Sequence, residues 1–264
     1  MRRGVPHRAR EEVQRVRLTP HVHLVGSGRI GGFRLTDDYD SHVYLIDGGS
    51  ELALVDAGFG RRPELIVQEV EAAALDPNRI RYVLLTHGHA DHARGAAYFQ
   101  RTFGSTVVAH ADLAPALEAG DAEMTGLRLG LEAGSFPAET VLTPCPVTRP
   151  VREGDRIAVG NVELEVLETP GHAATHLSFE ARIDDRTMLF GGDVLFVGGR
   201  ILLLSFPDSS LEACLSSIRK LDGRGIDALL PGHSVFALRD GQLHVDTALE
   251  RMRRCQVPEA VVLG

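Results

Sequence analysis

Cysteine is scarce in this chain: Cys145, Cys214 and Cys255 are the 3 among 264 residues, far apart and with no C-x-x-C spacing. An odd number so widely spread offers neither a disulfide framework nor a thiolate zinc site, and it suits a reducing compartment. Long apolar runs are missing as well, since no stretch approaches the ~18 residues of a membrane span. Arg2, Arg3, Arg8, Arg10, Arg15 and Arg17 open the chain, but the apolar run of about 7 to 15 residues that a secretory signal needs does not follow them. Residues 1–18 are therefore expected to form a flexible basic arm on a cytoplasmic protein. Excess positive charge is also absent: 28 Lys and Arg against 36 Asp and Glu leave −8. That balance points to a small-molecule substrate, with no nucleic acid and no membrane as partner, and a homodimer is kept open. No Pro/Gly/Ser-rich linker or low-complexity tract divides the chain, so residues 19–264 are expected to be a single domain.

What is present is an ordinary globular composition, 44% hydrophobic and 24% charged. Apolar alternation and β-branched residues predict strands over 21–25, 42–46, 52–55, 82–85, 106–109, 156–159, 162–167, 176–179, 188–190 and 228–230. Helical spacing predicts helices over 63–74, 92–103, 112–119, 209–221 and 245–254. Hairpins come first, strands alternating with helices follow, and this order recurs after about Pro150. Two α/β halves placed back to back satisfy it. Between His110 and Pro144, Gly120, Gly126, Gly130 and Gly134 interrupt short helical pieces, which reads as an inserted flap.

The densest chemistry is Thr86-His87-Gly88-His89-Ala90-Asp91-His92, between an apolar strand and a helical pattern. Three imidazoles and a carboxylate so close repel and desolvate one another unless a cation sits among them. Neutral imidazole and carboxylate are ligands that Zn²⁺ and first-row metals accept. His87 and His89, two apart on an extended turn, can face one ion, while Asp91 and His92 face a neighbouring position. Thr169-Pro170-Gly171-His172, Gly191-Gly192-Asp193 and Pro231-Gly232-His233 each place a further ligand type just beyond a predicted strand. Active groups of α/β sheets collect at such edges.

With these motifs and the early Val55-Asp56-Ala57-Gly58, the chain resembles the metallo-β-lactamase superfamily, which includes glyoxalase II, from about His21 to His233. The resemblance implies an α/β fold in the form of a four-layer αβ/βα sandwich, two mixed sheets flanked by helices. It implies that His87, His89 and His172 bind a first metal, that Asp91, His92 and His233 bind a second, and that Asp193 bridges both. Asp56 would support them from behind. Two divalent ions per chain are expected, zinc first, with iron or manganese as alternatives.

Such a pair leaves room for a shared water whose pKa falls toward neutrality, so that hydroxide can attack without a Ser or Cys nucleophile. The expected activity is a metal-dependent hydrolysis of a small ester, thioester or lactone, with Asp91 and Asp193 as the catalytic carboxylates. The 31 residues after His233 are too few for a helical glutathione-binding domain, which argues against a strict glutathione thioesterase. An acyl-homoserine lactonase, a persulfide dioxygenase with one iron and a metal-binding scaffold without activity are the alternatives. Tyr39 and His42, in a polar loop before a strand, and Phe136 in the flap are the candidate pocket residues. The turn Ser205-Phe206-Pro207-Asp208 is another place to line a pocket, although a helix N-cap at Asp208 or Ser209 also accounts for its polar residues.

Overall fold

A computed structural model of the protein describes residues 16–261. The first sheet comprises β1 (Val22–Gly26), β2 (Val43–Asp47), β3 (Leu52–Val55), β4 (Ile80–Leu84), β5 (Thr106–His110) and β6 (Arg149–Val151), side by side in that order. β1, β2 and β3 pair antiparallel, and the pairing is parallel from β3 to β6. The second sheet runs β11-β10-β9-β8-β7, from β7 (Arg156–Val159), β8 (Val162–Glu168), β9 (Leu177–Ile183), β10 (Arg186–Gly192) and β11 (Ala228–Pro231). Its antiparallel part is made of hairpins. The β9–β10 turn places Asp184 and Asp185 at φ +53° and +60°, the left-handed pair that matches the twist of two strands. β10 and β11 are parallel, and a parallel pair requires a crossover, here carrying α6 (Leu211–Lys220).

Side chains alternate across both sheets. Tyr44, Ile46, Val55, Leu84 and Val108 face inward against Val166, Phe179, Met188, Phe190 and Leu230 of the second sheet. On the outer face of the first sheet, Leu45, Leu54, Val83 and Val107 are covered by Ile66 and Val70 of α1 (Glu64–Ala72) and Phe99 of α3 (Ala96–Phe103). Leu167, Leu189 and Leu229 meet Cys214 and Ile218 of α6 and Val245 and Leu249 of α7 (Gly241–Arg253) on the other side. Four layers result, helix, sheet, sheet and helix, as expected from the sequence.

The helix expected over 92–103 is two: α2 (Ala90–Ala93) and then α3. The carbonyl of Asp91 accepts from the amide and hydroxyl of Ser41, and that of His92 accepts from the Ala57 amide, so neither is free to continue the ladder. Gly95 donates to Gly58 instead, and a Cβ on it would collide with the Ala57 carbonyl. β6 escaped the sequence reading because Arg149-Pro150-Val151 is too short to alternate; proline is tolerated because this is an edge strand. The cap of α6 is neither Asp208 nor Ser209 but Ser210, whose Oγ accepts from the Ala213 amide. Of the arm expected over 1–18, residues 1–15 lie outside the described ones, while Val16 accepts from Leu24 and Arg17 bridges to His23 beside β1. The flap between β5 and β6 carries α4 (Ala114–Ala119) and α5 (Leu127–Glu132). No helix among the described residues is long and apolar enough to cross a membrane.

Candidate metal centre

All four predicted ligand loops leave the same edge of the double sheet. The β4–α2 turn supplies His87, His89, Asp91 and His92; β8 runs into the loop holding His172; Asp193 follows β10 and His233 follows β11. The ligand atoms of His87, His89 and His172 lie within 4.8 Å of one another, and the same holds for Asp91, His92 and His233. A third such group joins His87, His92 and Asp193. Asp193 stands between the first two: its Oδ2 is 3.5 Å from His172 Nε2 and 3.5 Å from His233 Nε2. Across the second group, Asp91 Oδ2 is 3.2 Å from His233 Nε2, and the Nε2 atoms of His92 and His233 are 3.1 Å apart.

Four of the five ligand rings are aimed by a partner on the far nitrogen. His87 Nδ1 donates to Thr86 Oγ1 at 3.0 Å, His92 Nδ1 to Asp56 Oδ2 at 2.8 Å, His172 Nδ1 to the Leu202 carbonyl at 2.9 Å and His233 Nδ1 to the Ile30 carbonyl at 3.0 Å. These bonds leave four Nε2 lone pairs converging on the centre. Asp56 also accepts from the amide and hydroxyl of Thr86. It does so from a left-handed backbone at φ +62°, strain that the interlocking bonds hold in place. The polar loop before β2 performs related work from behind, because Ser41 grips the Asp91 carbonyl.

The residues fit a pair of cations on evidence internal to the fold. His87 Nε2 and Asp193 Oδ1 are buried with no hydrogen-bond partner, a costly state that metal coordination relieves; His89 meets the centre through Nδ1, 2.9 Å from His172 Nε2. Gly232 passes so close that a Cβ there would lie 2.5 Å from His92 and 2.6 Å from Asp193. Burial first, and neighbouring imidazoles second, hold His87 well below the ordinary histidine range; burial also lowers His89 and His172, keeping these rings neutral as ligands. Burial works against the charged form of Asp91 too, but His92 and His233 outweigh it and keep the carboxyl ionised. Conversely, burial would depress His92 and His233, yet the surrounding carboxylates raise both.

A cavity of about 430 Å³ opens onto His89, Asp91, His172, Asp193 and His233. Its apolar wall comes from the flap, through Leu129, Ala133 and Phe136, and from the segment after β10, through Leu202, Leu204 and Phe206. Phe136 and the 205–206 turn thus lie where the sequence placed a pocket, while two other expectations need correction. His42 is fully buried, bonded to Ser27 Oγ at 3.1 Å and the Ser234 carbonyl at 2.7 Å, and is structural. Tyr39 does not line the cavity but sits behind it, its ring 5.2 Å from Phe59 and 6.2 Å from Phe136. Leu127 of the flap is wholly buried among Phe59 and Ala90. One contributor escaped sequence reasoning: His176 accepts from the Asp193 amide at 2.9 Å and so sets the bridging residue in place.

A carboxylate shared between two His/Asp groups at the floor of an apolar cavity defines a metal-dependent hydrolase acting on a small molecule, with two divalent ions per chain. The sequence model of the Metallo-beta-lactamase superfamily matches residues 36–233, and the chain belongs to that superfamily. An uncharacterised protein of Mycobacterium tuberculosis is 31% identical over 218 residues, 78% of this chain and 90% of that one. The acyl-coenzyme A thioesterase MBLAC2 of Homo sapiens is 29% identical over 215 residues, 73% of this chain and 72% of the relative. An atrochrysone carboxyl ACP thioesterase of Aspergillus fumigatus is 26% identical over 238 residues, 90% of this chain and 63% of its own length. Among solved structures, the subclass B3 metallo-beta-lactamase BJP-1 of Bradyrhizobium japonicum superposes with a TM-score of 0.68 at 22% identity, covering 90% of each chain. At that identity the likeness concerns the fold.

Proposed function

We propose that the protein is a thioesterase whose substrate lays an apolar acyl group along the flap. The observation that carries this reading is the wall of Leu129, Phe136, Leu202, Leu204 and Phe206 directly beside His89 and His172. Its similarity to two proteins named as thioesterases of acyl-coenzyme A and acyl carrier protein supports the same choice. Two ions held by the assigned ligands would supply an activated water and polarise the thioester carbonyl.

The chain's own groups do the rest. His87, His89 and His172 hold one side of the centre, Asp91, His92 and His233 the other, and Asp193 ties the two together. Asp91, kept anionic and facing the cavity, accepts a hydrogen bond from the attacking water and turns its lone pair toward the carbonyl. The apolar wall excludes bulk water and aligns the scissile bond. Cytoplasmic residence belongs to the same proposal and draws on three cysteines without a disulfide among them.

The test is a hydrolysis screen on protein reconstituted separately with zinc, iron and manganese, with elemental analysis of each preparation. Octanoyl thioesters should be cleaved with a higher kcat/KM than octanoyl-homoserine lactone or a phosphodiester. A lactone preferred over every thioester would overturn the assignment.

A further inference from the structure

The cavity is chemically lopsided. Its apolar residues gather on the His89 and His172 side: the Phe206 ring stands 5.2 Å from the His89 ring, and Leu202 offers its carbonyl to His172. On the opposite side the wall is made by Arg29 and Ile30, and the Ile30 carbonyl is the acceptor that orients His233. Arg29 is exposed and is the sole Arg or Lys lining the cavity among the described residues. Three neighbouring arginines are engaged. Arg61 faces Asp37 at 3.9 Å, Arg94 donates to the carbonyls of Phe59 and Val141, and Arg128 pairs with Glu123.

The backbone that carries Arg29 is fixed. Gly28 donates to the Asp40 carbonyl and Arg29 to that of Asp38, each at 2.9 Å. Gly28 is wedged so tightly against Asp37 and Asp38 that a Cβ could not be accommodated. The loop is braced, and it sets a cation in the cavity wall one residue from the carbonyl that aims His233, within the wall that a ligand at the Asp91–His233 end meets.

We propose that Arg29 is a specificity-determining residue that recognises an anionic group on the thiol half of the substrate, while the acyl half lies along Phe136 and Phe206. The inference rests on the thioesterase reading for its substrate and extends it to the leaving group. Guanidinium suits either a carboxylate or a phosphate, through paired hydrogen bonds. The chemistry therefore selects an anionic thiol, whether a carboxylate-bearing peptide thiol or a phosphate-bearing pantetheine thiol.

The test uses the zinc-loaded protein and three non-hydrolysable thioethers with one acyl-like tail: S-octylglutathione, S-octyl-coenzyme A and the neutral S-octyl-N-acetylcysteamine. Calorimetry should show Arg29→Gln weakening the Kd of at least one anionic ligand about tenfold, Arg29→Lys recovering part of it, and the neutral ligand changing less than about twofold. The arm that weakens identifies carboxylate or phosphate as the recognised group. Equal weakening of all three ligands, no change in any, or no binding of either anionic ligand by the unsubstituted protein would overturn the proposal. Turnover of the matching octanoyl thioesters is read separately. Arg29-dependent binding without hydrolysis of any thioester would sink the thioesterase assignment while leaving the anion subsite standing.

Discussion

Asp193 is the residue on which both donor groups depend, since one of its oxygens lies equally near His172 and His233. A carboxylate there offsets the repulsion of two cations, so Asp193→Ala should lose about one metal equivalent and nearly all activity by elemental analysis and assay. His244→Ala is the control, because that ring accepts from the Gly198 amide rather than joining the centre, and it should retain both. Protons compete for the same nitrogens. His92 and His233 stand above the histidine reference value of 6.5 in the metal-free protein, burial opposing and Asp91, Asp56 and Asp193 prevailing. A raised folded value means that these imidazolium ions contribute stability in full below their unfolded pKa and lose it as pH rises through the folded one. Metal must displace those protons, so loading near pH 7 should release them and apparent affinity should climb with pH. Calorimetry in two buffers of different ionisation enthalpy measures the release; equal heats in both would refute it. Burial also pushes the Cys145 and Cys214 thiols up to about 11, whereas Cys255 is exposed. A disulfide reagent at pH 8 should therefore find one fast thiol in the native protein and three after denaturation.

The flap is the element in which packing and selectivity meet. Phe136 stacks on Phe59 at 4.8 Å and also lines the cavity, and a Cβ on Gly130 would lie 2.6 Å from its ring. Phe136→Ala should reorder kcat/KM among acyl chain lengths, by roughly 1–3 kcal/mol per methylene wrongly housed, with metal content unchanged. If every chain length falls by one common factor, Phe136 only fastens the flap to the body. Elements that alternate strongly were legible in the sequence, and so was the ligand set, because side chains that repel one another unless they share a cation stand next to strand ends. The split of the helix at Gly95 was not legible, since it depends on Ser41 and Ala57 reaching across from other loops. Nor was the direction of Tyr39 and His42: their loop is polar, but these two side chains are spent on Phe59, Ser27 and Ser234 rather than on substrate. Periodicity describes which face a residue takes along its own strand. It carries no information about which distant carbonyl will claim a side chain.

At the scale of the whole molecule, the two halves meet through the inward faces of both sheets and again at the metal edge. Phe179 and Phe190 are wholly buried in that seam, so Phe179→Ala should cost about 3–5 kcal/mol in denaturant unfolding. Hydrogen bonds cross the seam as well: the Tyr44 hydroxyl donates to the Pro231 carbonyl at 2.7 Å, and the Leu177 amide to the Thr86 carbonyl at 2.6 Å. Metal should stabilise the folded chain by mass action, each ion at a hundredfold excess over its Kd adding about 2.7 kcal/mol, or roughly 5–10 °C in Tm. A chelator that leaves Tm unmoved would contradict this. The ligands are divided between the halves, His87 and His89 facing His172, and Asp91 and His92 facing His233. Each donor group is thus complete only while the two halves stay together, yet the cavity reaches His89, Asp91, His172, Asp193 and His233 without any parting of the sheets. Metal can then come and go through the cavity mouth while the chain stays folded, and isotope exchange should run faster than global unfolding.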